Sequence, residues 1–146
     1  MLSKKAKYAL KALITLARNS SHGQSMGIAE IAEQDNIPRK FLEAILLDLK
    51  NHGILYSKRG KAGGYALLKT PAEISIGQVI RIIDGPLAQV PCASKRFYQP
   101  CQECKDPATC AIRLVMVKVR DASAEILDNT FLRDVIDSES ELLYVI

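Results

Sequence analysis

The feature that most constrains this chain lies between residues 25 and 68, where the pattern predicts two short helices followed by two short strands. Ser25 is of a residue type that caps helices, so we expect it to begin the first of them. After a turn over residues 35–37, Pro38 should occupy the first position of the second helix, where its missing N–H costs nothing. Two short helices joined in this way predict a helix-turn-helix, with an ordinary αα-hairpin as the alternative.

The second of these helices has one apolar side and one polar side. Its apolar stripe, which we expect to be buried, consists of Leu42, Ile45, Leu46 and Leu49. Arg39, Lys40 and Glu43 lie off that stripe, near the N-terminus of the helix. Because side chains in the first turn of a recognition helix reach base edges in the major groove, these three residues are candidate DNA contacts.

A β-hairpin pattern follows the second helix directly. The two strand-like segments are residues 54–57 and 65–68, and the loop between them is rich in glycine and basic residues. We expect Lys58, Arg59 and Lys61 to contact phosphates or enter a minor groove, while glycines such as Gly63 allow close backbone approach. A phosphate-binding enzyme loop is excluded, because the spacing GxxxxGKS/T is missing and no helix pattern follows the glycines. Residues 1–70 are therefore predicted to form a winged helix-turn-helix DNA-binding domain.

The distribution of charge favours the same interpretation. Residues 1–70 carry 12 lysines and arginines against 5 acidic residues, whereas residues 71–146 carry 8 against 11. A basic half suits a polyanion such as DNA, although a solvated basic face would have the same composition. The sequence has no apolar run long enough to cross a membrane and no signal-peptide pattern at its start, so we expect a cytoplasmic protein with no membrane partner.

Two further helices are predicted around this module. Ser3 should cap a helix over residues 4–18. The apolar stripe of that helix contains Ala6, Leu10, Leu13, Ile14 and Ala17. Ser75 should cap a second helix, Ile76–Asp84, which forms the connecting segment over residues 71–89.

A cysteine-rich segment over residues 90–110 follows, which we call the cysteine loop. Its four cysteines, spaced C-x8-C-x2-C-x5-C, are Cys92, Cys101, Cys104 and Cys110. In a reducing compartment such a group indicates metal, cluster or redox ligands before structural disulfides. An iron–sulfur cluster, zinc and unligated redox thiols all remain open, although the spacing is not that of a zinc ribbon. His22 and His52 both lie in the basic half at predicted helix ends, so neither is expected to join the cysteines.

A long helix is predicted from Cys110 to about Asp128. Its repeating positions, three and four residues apart, are Ile112, Val115, Met116, Val119, Ala122, Ser123 and Ile126. This helix could pack on its own chain or pair with a copy of itself, and we favour dimerisation because DNA-binding modules commonly bind two half-sites as dimers. Within residues 111–146 we also expect Thr130 to cap a short last helix and the apolar end Leu142–Ile146 to dock.

The residues resemble a known family, the IscR/NsrR/CymR-type bacterial transcription regulators (the Rrf-two family), over nearly the whole chain. In the basic half the resemblance rests on Ser3–Ala9, on Phe41–Glu43 and on the wing sequence Arg59–Tyr65. It continues through Ile76–Ile80, the cysteine loop and the end of the long helix, Ile126–Thr130. Together these motifs are specific, whereas any one of them alone is not.

The resemblance implies a mostly α-helical fold with a small β-wing and a long dimerisation helix. It implies a homodimer whose long helices cross, with each winged domain binding half of a palindrome in double-stranded DNA. Phe41, which lies in the matching recognition-helix motif, joins the candidate DNA contacts. Ala44 stands where some relatives present a polar base-contacting residue, so the operator sequence is not implied.

The resemblance also implies an iron–sulfur cluster, expected in the two-iron two-sulfur form. Many members hold it on three loop cysteines, the last two separated by five residues, as Cys104 and Cys110 are here. Cys92 matches the first ligand with a longer gap than usual, and Cys101 is an extra candidate for the fourth ligand. Zinc is the alternative metal for the same thiolates.

Two departures from the family pattern bear on that ligand set. Arg113 stands where some members have a ligating histidine, and it cannot ligate. Lys7 and Tyr8 occupy the region of the first helix from which other members recruit an acidic ligand. Members of the CymR type bind no cluster and report cysteine supply through a partner enzyme, and the apolar C-terminus here is similar to theirs.

The function predicted from the sequence is therefore that of a homodimeric DNA-binding transcription regulator, a repressor rather than an activator. Its cysteine loop would sense iron–sulfur cluster status, redox state or nitric oxide. The alternative is a cluster-free transcription regulator, either thiol-based or one that controls cysteine and sulfur metabolism. A redox or metal-handling enzyme comes third, because the sequence has no carboxylate–histidine constellation and no cofactor fingerprint.

Overall fold

A computed structural model describes residues 2–19 and 24–145 of the chain. Its helices are α1 (Lys4–Asn19), α2 (Ile28–Asp35), α3 (Arg39–Asn51), α4 (Ile76–Asp84), α5 (Ala111–Asp128) and α6 (Leu132–Val145). Two short strands, β1 (Leu55–Lys58) and β2 (Gly64–Leu67), follow α3, and single 3-10 turns lie at Pro71–Glu73 and Pro91–Ala93. The predicted fold class, mostly α-helical with a small two-stranded wing, is confirmed.

The helix-turn-helix is formed by α2 and α3. Asn36 ends α2 in the left-handed conformation at φ 53°, and its N–H bonds back to the carbonyl of Glu33 at 3.4 Å. Pro38 is the N-cap of α3, one residue before the position that we expected, and its carbonyl accepts the first helical bond from Leu42. The predicted apolar stripe of α3 is confirmed, since all four of its residues are buried.

Helix α3 is held against α1 by packing and by one ion pair. Lys5 Nζ on α1 lies 2.8 Å from Asp48 Oδ2 on α3. Ser3 caps α1 as predicted, since its Oγ accepts the N–H of Ala6 at 3.0 Å. Most of the fully buried side chains lie where α1, α3, α4 and β1 meet, and they include Leu13, Leu46, Leu55 and Val79.

The buried face of α1 is wider than predicted. Ala9, Ala12 and Leu16 are buried along its length, whereas Leu10 and Ile14 are only half-buried. The reason is that α1 contacts α2, α3, α4, α6 and β2, so it is covered on several sides. Small alanines on these sides let the neighbouring helices approach closely, which a single apolar stripe does not predict.

The connecting helix α4 has the predicted boundaries. Ser75 Oγ accepts the N–H of Gln78 at 3.1 Å, and Gly85 ends the helix at φ 84°. Ile76, Val79 and Ile80 are buried, whereas Ile83 is only half-buried. α4 therefore joins the winged module to the second half of the chain.

Helix α5 leaves four large side chains at its repeating apolar positions exposed in the single chain. None of its residues, all of which the structure describes, is buried. Ile112 is 69% exposed, Val115 53%, Val119 38% and Ile126 66%. The other side of the helix packs on α4 and on the turn at Pro91–Ala93.

Helix α6 corrects two predictions. It is 14 residues long rather than short, and Thr130 does not cap it, because the Thr130 hydroxyl donates to the Ile126 carbonyl at 2.7 Å. Phe131 precedes the helix instead, and Asp134 in the first turn accepts its N–H at 2.8 Å. α6 packs on α1 and buries Leu132.

The apolar C-terminal end does not dock on its own chain, contrary to our expectation. Leu142, Leu143, Tyr144 and Val145 are all exposed, and Ile146 lies outside the described residues. They form the last turn of α6, which extends beyond α1 and the turn at Pro71–Glu73, the elements on which α6 packs. Across the part of the chain that the structure describes, no helix is both long and apolar enough to span a membrane.

Candidate nucleic-acid interface and cysteine loop

The solvent-facing side of α3 carries the predicted recognition-helix residues. Arg39, Lys40, Phe41 and Glu43 are all exposed. Arg39 Nε and Glu43 Oε1 are 3.7 Å apart, so the two side chains form a loose pair one turn apart. The ring of Phe41 packs edge-on against Tyr8 of α1, with 5.9 Å between ring centroids, which orients a side chain that remains 47% exposed.

The same face includes Leu47, which we had not predicted. Leu47 is 50% exposed and follows Ala44 along the outward side of α3. An apolar residue off the buried stripe was the available signal, because such a residue gains little from facing water. Lys40, Ala44 and Leu47 follow one another at helical steps, so one continuous exposed stripe runs from the first turn to the third.

The wing is attached to the helix-turn-helix by a backbone bridge. β1 and β2 pair antiparallel, with Lys58 opposite Gly64 and Leu55 opposite Leu67. Beside them, the N–H groups of Met26 and Tyr65 each donate to the other residue's carbonyl, at 2.9 and 2.8 Å. The segment before α2 thus acts as a short third strand of the wing.

Ser25 belongs to this attachment and not to a helix cap, which corrects our prediction. Gly27 is the N-cap of α2, and Ser25 Oγ donates to the carbonyl of Ala62 in the wing loop at 2.7 Å. The bridge at Met26 sets the chain direction here, so the helix begins two residues later than a cap at Ser25 would allow. The Ser25 side chain is left facing the wing loop.

Two glycines allow the wing to close. A Cβ on Gly63 would lie 2.6 Å from the carbonyl oxygen of Lys58 and 2.7 Å from that of Gly60. Gly64 has φ +153°, and a Cβ there would overlap the backbone of Met26 at the bridge. Glycine at position 63 is therefore required for the turn to close, independently of any contact with DNA.

The basic side chains of the wing line a groove beside the start of α2. Lys58, Arg59 and Lys61 are exposed along this groove, whose volume is about 660 Å³, together with Gly27 and Glu30. Lys58 Nζ lies 5.8 Å from the centroid of the Tyr56 ring. This cation–π contact holds the Lys58 side chain against its neighbour on the same strand. Three cations against one carboxylate make the groove electropositive.

In the cysteine loop, two arginines of α5 hold the backbone at the first cysteine. Arg113 Nε donates to the carbonyl of Cys92 at 3.0 Å, and Arg120 Nη1 donates to the carbonyl of Ala93 at 2.5 Å. The Arg120 side chain is only 15% exposed. Arg113, which stands where the family resemblance suggested a ligating histidine, therefore supports the backbone of the cysteine loop.

Cys104 lies near both Cys101 and Cys110, before the start of α5. Cys104 N–H donates to the carbonyl of Cys101 at 3.2 Å, and Cys110 is the N-cap of α5. The pKa of the Cys104 thiol is raised, first by partial desolvation and then by the neighbouring Cys110 thiol, which is close enough to hydrogen-bond to it. A raised pKa disfavours the thiolate that binds metals and attacks oxidants.

The cysteines do not form a finished metal site within the single chain. Among the described residues, no three cysteine, histidine, aspartate or glutamate side chains lie together as metal ligands. All four thiols are free of disulfides, and Cys101 is exposed. His52 lies at the end of α3, where its Nδ1 is 2.8 Å from the carbonyl of Asp48, and His22 lies outside the described residues. A four-thiolate site therefore does not fit the loop as it is folded here.

The exposed recognition helix, the attached wing and the electropositive groove define the class of this molecule. They are the parts of a winged helix-turn-helix protein that binds DNA. A family model, Rrf2, described as "Iron-dependent Transcriptional regulator", matches residues 2–138. The chain belongs to this family of transcriptional regulators, which is the class that the sequence predicted in preference to an enzyme.

Individual relatives agree with the family. An rrf2-like HTH-type transcriptional regulator of Rhodobacter capsulatus is 45% identical over 138 residues, which are 93% of this chain and 92% of that protein. The HTH-type transcriptional regulator CymR of Bacillus subtilis is 33% identical over 133 residues, 91% of this chain and 87% of that protein.

Solved structures agree with the fold. The structure of CymR, the global cysteine regulator of B. subtilis, superposes with a TM-score of 0.77 at 31% identity, covering 94% of this chain and 97% of that one. The IscR of T. potens gives the same TM-score of 0.77 at 25% identity, covering 97% of this chain and 90% of the other.

Proposed function

We propose that this regulator binds palindromic double-stranded DNA as a homodimer, acts as a repressor, and is controlled by its cysteine loop. The observation that carries the proposal is the pairing of an exposed α3 face with a wing groove that holds three basic side chains. A helix of this width enters a major groove, while cations beside it neutralise phosphates. The two surfaces lie on consecutive elements that the Met26–Tyr65 bridge ties together.

Each surface has its own role in this proposal. On α3, Arg39, Lys40, Phe41 and Glu43 contact base edges and the nearest phosphates from the first turn. On the wing, Lys58, Arg59 and Lys61 contact the backbone or enter the minor groove, and Gly63 keeps the loop tight enough to approach it. The base contacts give sequence preference, whereas the wing contacts give affinity that depends on salt.

The homodimer is supported by the uncovered face of α5. Ile112, Val115, Val119 and Ile126 lie three or four residues apart along the helix and are exposed in the single chain. Five turns of helix with apolar side chains on one face resemble half of a helical seam. A second copy of α5 is the partner that matches this face in length and chemistry, and a two-fold dimer suits a palindrome.

The cysteine loop is the sensor in this proposal, and its thiols are the sensing groups. The Cys104 and Cys110 thiols lie within hydrogen-bond reach of each other, so a disulfide between them would need little movement of the loop. Oxidation of the two thiols by hydrogen peroxide would form one S–S bond, break the O–O bond and release two water molecules. Because Arg113 and Arg120 join the loop to α5, a change in the loop would reach the pairing helix.

An iron–sulfur cluster is the second candidate for the sensor. The family description, "Iron-dependent Transcriptional regulator", and four cysteines within 19 residues favour it. The candidate ligands are Cys92, Cys101, Cys104 and Cys110, whose soft thiolates also suit zinc. The loop would have to close around the metal, because its cysteines do not lie together as ligands in the single chain. The cluster would supply a group that is sensitive to oxygen, redox state or nitric oxide.

Selection from random-sequence DNA tests the DNA-binding part. The protein should enrich a palindrome whose half-sites are about one helical turn apart, centre to centre. A Lys58→Glu, Arg59→Glu, Lys61→Glu variant should lose the enrichment and keep its fold by circular dichroism, while reversing Arg133 on α6 to glutamate should change nothing. Enrichment of an unpaired, single half-site would contradict the dimer, and no enrichment would contradict DNA recognition through these surfaces.

Anaerobic purification from iron-replete cells separates the two sensors. Visible absorption, iron, acid-labile sulfide and zinc are assayed on one sample. Colourless, sulfide-free protein whose DNA affinity changes with peroxide, and does not change in Cys104→Ser, supports the thiol sensor. Coloured protein with stoichiometric sulfide supports the cluster. DNA binding that is indifferent to all treatments in both wild type and the quadruple Cys→Ala variant would remove the sensor role of the loop.

A further inference from the structure

The end of α5 is joined to α4 by a compact contact that the sequence did not predict. Arg81 on α4 donates to Asp128, the last residue of α5, through both Nη atoms, at 2.5 and 3.0 Å. The pKa of Asp128 is lowered and that of Arg81 raised, in each case first by this hydrogen bonding. We call Gly77, Arg81 and Asp128 the α4–α5 joint.

Gly77 makes room for the carboxylate. It is a buried residue one turn before Arg81, and a Cβ on it would overlap Asp128 Oδ1 and lie 3.1 Å from Arg81 Nη1. Gly77 is the second residue of α4, where alanine is the better helix former, so the close approach of Asp128 gives the reason for a glycine here. The atoms that an alanine would displace belong to two side chains and not to backbone.

Backbone bonds next to the joint hold the following turn. The N–H of Ile76 donates to the carbonyl of Thr130 at 2.8 Å, and the N–H of Leu132 donates to the carbonyl of Ile74 at 3.0 Å. These bonds fix the position of the α5–α6 turn on the winged module. The Arg81–Asp128 pair lies on the α5 side of that fixed turn, where it controls the direction in which α5 leaves.

The direction of α5 matters because the helix is long. Its 18 residues span about 27 Å at 1.5 Å per residue. A tilt of about 7° at one end of a rod of that length moves the other end by about 3.3 Å, close to the rise of about 3.4 Å per base pair. Since α3 packs on α4, a tilt between α4 and α5 moves the recognition helix relative to the far end of α5.

We propose that the α4–α5 joint determines the half-site spacing that the dimer accepts, so that Gly77, Arg81 and Asp128 are specificity-determining residues that contact no DNA. The proposal rests on the proposed function, because it needs two copies paired through α5. In it, the recognition-helix residues choose the bases of each half-site, and the joint chooses the distance between the half-sites.

The test is selection from random-sequence DNA with wild type, Gly77→Ala and Arg81→Gln in parallel, with half-site spacing as the readout. Gly77→Ala is the sharper variant, because it displaces the carboxylate while replacing glycine with a better helix former. We expect both variants to enrich the same half-site sequence at a spacing that is shifted or broadened by at least one base pair. Their affinity for the wild-type palindrome should fall at least tenfold.

Three controls separate this role from a merely structural one. Arg133→Gln removes the same charge from the exposed Arg133–Asp137 pair on α6 and should keep the wild-type spacing. Arg81→Lys keeps the charge and one hydrogen bond and should fall between wild type and Arg81→Gln. Both joint variants should remain dimers by sedimentation.

The outcomes are distinct for the two proposals. Wild-type spacing and affinity in Gly77→Ala and Arg81→Gln would overturn the joint and leave the proposed function intact. A uniform loss of affinity with the spacing unchanged would also overturn it, since it indicates destabilisation alone. A wild-type protein that enriches no palindrome would overturn the proposed function and the joint together.

Discussion

Single residues of the wing are defined by neighbours that are distant in the sequence. Gly64 is required because the backbone of Met26, 38 positions earlier, lies where a Cβ on residue 64 would be. Met26 is held there by its two backbone hydrogen bonds with Tyr65. Gly63 is required for a different reason, because a Cβ there would clash with the carbonyl oxygens of Lys58 and Gly60 in the same turn. The sequence shows two adjacent glycines, and only the structure separates their roles.

Replacing Gly64 with alanine should destabilise the protein and loosen the wing. The new Cβ would overlap the Met26 backbone, and a non-glycine residue at this φ is itself strained, so we expect a loss of about 2–3 kcal/mol in unfolding free energy. Urea unfolding followed by circular dichroism measures it. Gly27→Ala is the matched control, because its Cβ would meet nothing closer than 3.9 Å, and a Gly64→Ala loss no larger than that of Gly27→Ala would contradict the bridge.

The Arg81–Asp128 pair should give stability a defined pH dependence. Because the pKa of Asp128 is lowered in the fold, its contribution is complete above its unfolded pKa of about 3.9 and is lost as pH falls through the folded pKa. Asp128→Asn should therefore melt below wild type at pH 7, and the difference should vanish under strongly acidic conditions. The pair is about two-fifths exposed, which limits the effect to about 1 kcal/mol.

Thermal unfolding of both proteins between pH 7 and strongly acidic pH measures that difference. Glu141→Gln, on the exposed end of α6, serves as the control for removal of one carboxylate. A difference in melting temperature between Asp128→Asn and wild type that stays constant over the whole range would mean that the carboxylate charge is not what stabilises the joint.

At the scale of elements, the wing is the part whose contribution to DNA binding can be measured separately. Arg59 is exposed on the groove, in the loop between β1 and β2. Arg59→Ala should weaken operator binding and, if it contacts phosphate, make log K less steep in log salt by about one unit. Fluorescence anisotropy over a salt series checks both quantities.

The control for the wing is Arg133→Ala, which removes an exposed arginine from α6. It should leave both the affinity and the salt dependence unchanged. The same result for Arg59→Ala would place the wing outside the interface and leave α3 as the surface to test.

At the scale of the whole molecule, the uncovered face of α5 predicts the oligomeric state. Asp introduced at Val115 or Val119 would place an unpaired carboxylate in an apolar seam, at a cost on the order of several kcal/mol. We expect monomers by analytical ultracentrifugation and loss of palindrome binding. Ser138→Asp adds the same charge at an exposed position of α6 and should remain dimeric.

A Val119→Asp protein that is still dimeric would show that another surface forms the dimer. The exposed apolar end of α6, Leu142–Val145, is then the next surface to test by the same substitution. A protein that fails to fold is distinguished from a monomer by its circular dichroism and its thermal transition.

Local patterns by themselves determined much of this protein. The buried stripe of α3, the boundaries of α4 and the start of α5 follow from apolar periodicity and from caps such as Ser75 within a few residues of each helix. The wing hairpin follows from two short strand patterns around a glycine loop. These elements are predictable because the interactions that form them join residues close together in the chain.

Only the tertiary structure decided the roles of residues that act through distant partners. Ser25 binds the wing loop in place of a helix end, Arg113 holds the Cys92 backbone, and Gly77 seats a carboxylate 51 positions away. The mutual positions of the cysteines and the exposure of the α6 end belong to the same group. Periodicity and capping carry no information about such contacts, because which of many polar groups meet depends on how the finished helices pack together.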